Sequence, residues 1–470
     1  MQRFTDLTFP RNRRAHAARS VLFTVGLFAV VLHFFLSPNV FDAMGLDFST
    51  PGGNPLTKIH PANQILIIAS LFVLFRSKYE FARLCHDWPG LMLFVIAIPL
   101  LGLYSIVWTG YSGSAVFIES FWAAGLLALV LEGGSDTHKR RLAVVLVALC
   151  VFNALVAIGE NLTYTHLFPL AVSADHPLVE EEFRSHAFFS HPLTGSMVSV
   201  MVIYLVYAMR PRLWIAAPVY GLLLVGMLAY GGRTALAVLA LVIVAATFIN
   251  LIRGILVRHL EMDFILALVC GAILLPVAFA VLIDTTTIGD RIVNSFYFDD
   301  SARARTTQWT VLAHLTISNW LFGIPLADLQ QLKYQIGLGA QDTDLENFWL
   351  LLFLNLGAIG FTAFLAVFAT FLVHLARYSG RILGWVLVVS TIVIASGSNS
   401  LGVKTSDLLI LTAFVVAMSG YPPKVPLPLV QPKRETTPLR QRAGALSSLV
   451  PARNSGFAAG MGGPRGLRRS

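Results

Sequence analysis

Charge is what this 470-residue sequence has least of. Asp, Glu, Lys and Arg make up 13% of it, while hydrophobic residues make up 56%. A soluble domain carries about twice that charge, and the mean hydropathy of +0.72 points the same way. A soluble multidomain protein is thereby excluded. Cysteine is also scarce: Cys85, Cys150 and Cys270 suggest no disulfide pair, and no Cys/His spacing fits zinc. No Gly-rich loop of the Walker A type occurs, which excludes ATP-driven transport through such a loop. Nor does an acidic DxD-like pair face the cytoplasm to hold a nucleotide-sugar metal. The apolar segment after Arg19 lacks a small-residue cleavage site, so it reads as a retained first span.

What is there is a succession of long apolar runs. They lie at about 20–37, 61–76, 89–108, 114–131, 141–159, 190–209, 213–230, 233–252, 262–283, 348–376, 382–397 and 403–420. Crossing a bilayer takes roughly 20 residues, so these predict an all-α, polytopic integral membrane protein with about 12 transmembrane helices. The runs at 61–76 and 382–397 are short for that task and read as tilted or partly re-entrant. No internal repeat is evident, which disfavours a transporter built from inverted halves.

Basic residues set the expected orientation. With the N-terminus inside, 26 of the 34 Lys and Arg residues fall on the cytoplasmic side and 8 outside, as the positive-inside rule prefers. Both basic termini are then cytoplasmic. The net charge of +9 sits mainly in short loops and tails, which fits topology and anionic lipid and implies no nucleic-acid partner. The expected organisation is a basic N-terminus (1–19), spans one to nine (20–283), a long periplasmic loop (284–347), spans ten to twelve (348–421) and a disordered basic tail (422–470) rich in Pro, Gly, Ser and Arg.

Five of the eight outside cations are arginines, and they mark the candidate chemistry. Glu180–Ser196 (EEEFRSHAFFSHPLTGS) brings Arg184, His186 and His191 close together ahead of the sixth span. Either it is a solvated interfacial loop, or an anion site with a histidine that donates to a phosphate or sugar hydroxyl. Tyr230–Ala235 (YGGRTA) is a hairpin too short to leave the membrane boundary, which holds Arg233 at the interface. That arginine either snorkels or meets a bound anion, since a helix start disfavours a bare cation. The long loop carries Arg291, Arg303 and Arg305; they pair with Asp290, Asp299 or Asp300, or grip phosphate bidentately.

Apolar spacing over 304–321 predicts a short amphipathic surface helix with Arg305 and Trp309 on one face, ending in a turn at Gly323–Pro325. Glu346 and Asn347 stand where the chain re-enters lipid, and Glu346 there suits a helix cap or a general base. Glu119 falls inside the fourth run, buried with a partner or facing a cavity.

Together these segments resemble the O-antigen ligase and Wzy-type polymerase superfamily of bacterial inner-membrane proteins. More narrowly, the chain looks like VpsF-type exopolysaccharide biosynthesis proteins. GGRTA matches the small-Arg-Thr turn, which puts Arg233 in play; RTTQWTVLAHLTISNWLFGI resembles the Arg-x-x-x-Trp run, which does the same for Arg305; FRSHAFFSHPLTG adds Arg184 and His191. Ligases of the superfamily carry a histidine before the re-entry Asn, where this chain has Glu346.

The resemblance implies metal-independent glycosyl transfer at the periplasmic face, with no cofactor. The donor would be undecaprenyl-pyrophosphate-linked oligosaccharide in the bilayer, and other polysaccharide assembly proteins the partners. Arginines (with Arg291, Arg303, Trp309 and Asn347 as further contacts) would hold the diphosphate, and Glu346 or His191 would deprotonate the acceptor hydroxyl. Polymerase and ligase stay open, with a glycan exporter or flippase as the rival of another class.

Overall fold

The computed structural model describes residues 13–46, 48, 54–76, 78–110, 115–168, 183–257, 308–336, 345, 347–397, 401 and 404–421. Among them the regular elements are all helical. Six helices are long and apolar enough to cross a membrane, and four shorter apolar helices accompany them. Eleven of the twelve expected runs correspond to helix; the ninth, 262–283, lies outside the described residues.

In chain order, α1 is Arg13–Phe35, α2 Pro38–Ala43, α3 Pro55–Lys58, α4 Pro61–Phe75, α5 Lys78–Asp87 and α6 Pro89–Thr109. The fourth run opens with a π-helical turn, Phe117–Trp122, and continues as α7, Ala123–Glu132. Next come α8 (Asp136–Thr163), α9 (Pro192–Met209), α10 (Leu213–Ala229) and α11 (Arg233–Val257). Beyond the undescribed part of the loop lie α12 (Ile317–Phe322) and α13 (Leu326–Gln335), then α14 (Phe348–Tyr378), α15 (Ile382–Ser396) and α16 (Asp407–Ser419).

Sequence explains where many of these helices start. Proline occupies the first turn of α2, α4, α6 and α9, where its missing N–H costs nothing. Ser135 caps α8, and Asn347 caps α14 by accepting from Trp349 N (3.0 Å) and Leu350 N (3.2 Å). The short, strongly apolar α16 is buried on every side from Asp407 to Met418, which places it at the centre of the bundle. Around it pack α7, α8 and α9, and α6 runs along α14 with Phe94 stacked on Phe371 at 3.9 Å.

The bundle has two chemically different ends. One gathers Arg19, Glu80, Arg83 and Glu132, with Arg83 Nη2 3.4 Å from both Glu80 and Glu132 and the Trp88 indole donating to Glu132 (3.1 Å). The other end gathers the close of α1, α8 and α10 and the start of α4, α9, α11 and α14. The candidate functional residues lie there.

The stretch expected as one amphipathic helix over 304–321 is divided in its described part. Gln308–His314 forms a 3₁₀ helix, and α12 starts afresh because the Thr316 hydroxyl accepts from Asn319 N (3.2 Å). Trp309 is half exposed on the first piece. The turn after Phe322 is where it was expected, with Gly323 at φ +98°. A second break lies at Gly357, which takes φ +61° inside α14.

Candidate functional site

The site is built on the loop between α8 and α9. Its anchor is Glu160, in the last turn of α8 and buried. One carboxylate oxygen accepts from Leu167 N (2.8 Å), the other from His186 N (3.0 Å) and Ala187 N (2.9 Å). These charge-assisted bonds hold Ala187 at φ +50°, a left-handed conformation that a residue with a Cβ adopts only when its surroundings force it. Asn153 accepts from Phe188 N (3.3 Å), and Asn39 donates to the carbonyls of Phe189 and Ser190 (both 3.3 Å). Three polar side chains from α2 and α8 thus fix one short backbone segment.

The fixed segment lies against the Tyr230–Arg233 turn. Ser185 N donates to Ala229 O (3.2 Å). Gly231 takes φ +70°, and a Cβ added to it would meet the Arg184 side chain at 3.4 Å. At Gly232 a Cβ would fall on the Ser196 side chain, and at Gly195 it would meet the Tyr230 ring at 2.5 Å. The glycines are there because the two segments touch. Arg184 is half-buried over the turn, and Arg233 is exposed at the start of α11. Two segments 35 or more residues apart in sequence are therefore one local structure, with Arg184, His191 and Arg233 at the same end of the bundle.

His191 plays a definite part in this geometry. It is the N-cap of α9, its Nδ1 accepting from Leu193 N (3.1 Å). That bond leaves the proton of the neutral ring on Nε2, making the free edge a donor and not a base. Crowding by protein, then Arg184 and His186, hold its proton affinity below the ordinary histidine range, although the residue is exposed overall. His186 is likewise lowered, by burial first; Glu160 opposes that, His166 adds to it, and the backbone of Phe189 and Ala187 opposes it weakly.

A second polar cluster adjoins the first. Glu119, on the π-helical turn, accepts from His60 N (2.7 Å) and Asn63 Nδ2 (2.6 Å). Asn63 also meets His33 Nε2 (2.8 Å), and His60 is stacked on His33 at 4.0 Å. A small cavity is lined by His33, His60, Glu119, Lys404, Phe188 and Thr194, the last two belonging to the α8–α9 loop and α9. Glu119 thus has both the partners and the cavity that its position in an apolar run suggested.

Among the described residues, buried polar atoms without a hydrogen-bond partner concentrate in this region. Ser185 Oγ, both ring nitrogens of His186, Thr194 Oγ1, Ser196 Oγ and the Tyr230 hydroxyl are among them. Native proteins leave few such groups, and functional sites are one reason they persist. Of these, only His186 was prominent in the sequence; hydroxyls in apolar helices carry no distinguishing pattern.

Other expected site residues fall differently. Asn347 is occupied as the cap of α14, the role considered for its neighbour Glu346. Arg291, Arg303, Arg305 and Glu346 lie outside the described residues.

These features define a polytopic α-helical membrane protein with a polar, arginine-bearing site at one end of its bundle. Residues 218–365 match the family model for O-antigen ligase, a stretch that contains the Tyr230–Ala235 turn, the long loop and the first part of α14. The match makes this part of the chain similar to the O-antigen ligase family and supports the likeness to the O-antigen ligase and Wzy-type polymerase superfamily. No curated protein matches the chain.

Proposed function

We propose that this protein is an exopolysaccharide polymerase, of the VpsF-like kind, in the bacterial inner membrane with both termini cytoplasmic. It transfers glycan from undecaprenyl pyrophosphate to a growing glycan at the periplasmic face. The observation that carries the reading is the seating of Arg184 on Gly231 beside Arg233: two guanidinium groups from separate segments share one end of the bundle. Guanidinium forks suit a diphosphate, and charge develops on that group as it leaves. Arg291, Arg303 and Arg305 of the loop complete the grip. No nucleotide is needed, because the pyrophosphate leaving group supplies the driving force, and no metal ion stands at the reacting phosphates.

Glu346 takes the proton from the acceptor hydroxyl, and His191 donates from Nε2 to a phosphate or sugar oxygen. Trp309 and Asn347 flank the substrate path, and other polysaccharide assembly proteins supply the donor lipid and carry the product away. The lipid tail enters laterally between helices.

A second reading is ligation of finished glycan to another acceptor; the description of the matched family, O-antigen ligase, favours it. Product analysis in a deletion strain separates the two. Loss of long polymer with single repeat units accumulating on lipid supports the polymerase. Accumulation of full-length polymer on lipid supports the ligase. Normal polymer output rejects both.

A further inference from the structure

We propose that Glu160, His166 and His186 form a binding site for a first-row divalent transition metal ion, with zinc the best fit, which fastens the α8–α9 loop. One ligand atom from each residue lies within 4.8 Å of the others. Glu160 and His186 are buried and His166 is half-buried, so the site opens on one side.

His186 points most directly to a bound ion. It has no accessible surface, and among the described residues neither ring nitrogen has a partner at full hydrogen-bond geometry, the backbone of Phe189 and Ala187 giving only weak polar contact. A neutral imidazole carries one N–H and one acceptor nitrogen. Burying the N–H unmet carries its full desolvation cost. A metal ion on one nitrogen removes the orphan acceptor and gives the ring a reason to be there. The neighbouring groups are arranged as metal sites are. The carboxylate is oriented by three backbone N–H donors, from Leu167, His186 and Ala187. Ligating carboxylates are typically hydrogen-bonded in this way. His166 is held between rings, stacked on Phe183 at 4.3 Å and on His186 at 4.6 Å.

The donor set decides the class of ion. Two imidazoles and one carboxylate suit zinc and its first-row neighbours, whereas magnesium and calcium take oxygen. Three protein ligands leave a fourth position for water. Ligand atoms around a tetrahedral zinc stand roughly 3.4 Å apart, given bonds of about 2.1 Å. Side-chain shifts on the order of 1 Å close the present spacing to that.

The site escapes sequence reading because its ligands are separated by five and nineteen residues, with no short paired motif. Its place in the molecule gives it a consequence. The ion ties the end of α8 to the backbone of residues 185–187, next to Arg184. The proposal concerns positioning of that arginine's loop, and it holds for polymerase and ligase alike.

The test uses full-length protein purified without a polyhistidine tag, stripped with chelator and desalted after exposure to zinc chloride. Elemental analysis should then find about one zinc per chain, and magnesium chloride should leave none. Cobalt chloride should give visible absorption bands from nitrogen and oxygen ligation. His166→Ala, on the more open ligand, should weaken zinc binding at least tenfold without loss of folded protein, and His186→Ala should do the same or more. His374→Ala, at the opposite end of the bundle, should leave binding unchanged. Absence of retained zinc and of cobalt bands in the wild-type protein would overturn the proposal. So would undiminished zinc in His166→Ala together with unchanged cobalt bands.

Discussion

Gly323 and Gly357 lie backbone against backbone. Gly323, at the turn after α12, has φ +98°, and Gly357, inside α14, has φ +61°. A Cβ at Gly323 would lie 2.5 Å from Asn355 O, and one at Gly357 would collide with the backbone of Leu321, Phe322 and Gly323. Ile324 N donates to Leu354 O (2.8 Å), and the Tyr104 hydroxyl bonds to Phe322 O (3.1 Å) and Leu356 O (3.3 Å). The long loop is thus seated on a broken helix, and the break frees carbonyls that the loop and Tyr104 then satisfy.

Gly357→Ala is expected to unseat the loop. The side chain adds both a collision and the strain of a positive-φ, extended-ψ conformation (φ +61°, ψ 178°) that essentially only glycine adopts, about 1–3 kcal/mol alone. Gly380→Ala is a positive-φ control without the collision, since Gly380 has φ +65° and an added Cβ there would meet nothing within 4 Å. Thermal midpoints in detergent should fall markedly further for Gly357→Ala than for Gly380→Ala. Equal shifts would show that the close approach contributes nothing.

Arg184 and Arg233 should matter through their fork and not through charge alone. Arg184→Lys and Arg233→Lys keep the charge but lose bidentate geometry, so each should reduce polymer output at least tenfold at normal membrane abundance. Polymer length profiles on gels, with abundance measured by immunoblot, check this. Full output from both lysine variants would reject a diphosphate grip at this position.

How much of this was legible in the sequence differs by level. The spans were, because an apolar run long enough for a bilayer needs no tertiary context to be recognised. The pairing of Arg184 with the Tyr230–Arg233 turn was anticipated only as two separate motifs. Contact between them depends on Glu160, which closes an apolar run and gives no sign that it binds backbone 26 residues later. The amphipathic helix over 304–321 was misread at one residue: Thr316 competes for Asn319 N and restarts the chain, an effect that apolar spacing does not register. Glu119 was visible as a charge in lipid, but its partners His60 and Asn63 come from a helix 56 or more residues earlier.

His191 offers a clean separation of structure from chemistry. His191→Asn retains a good N-cap for α9, whereas His191→Ala removes the cap at a cost of about 1 kcal/mol. If Nε2 donates to substrate, both variants should lose activity, and only the alanine variant should lose stability. Polymer assays paired with thermal midpoints decide it. Retained activity in His191→Asn would reduce the histidine to a cap.

His60 should make stability depend on pH in a predictable direction. Burial lowers its pKa to about 4, with the bond to Leu36 O opposing this. The unfolded chain binds the proton at about 6.5. Between those values the unfolded state holds more protons, so stability rises with pH across that window and is lost as pH falls through it. The span of the shift corresponds to about 3 kcal/mol at most. His60→Asn keeps a capping side chain for α4 and removes the titration. The thermal midpoint of the wild-type protein should therefore drop more steeply than that of His60→Asn between pH 6.5 and pH 4. Parallel profiles would mean that His60 is not held neutral by its surroundings and that the Glu119 cluster does not exclude water as its geometry implies.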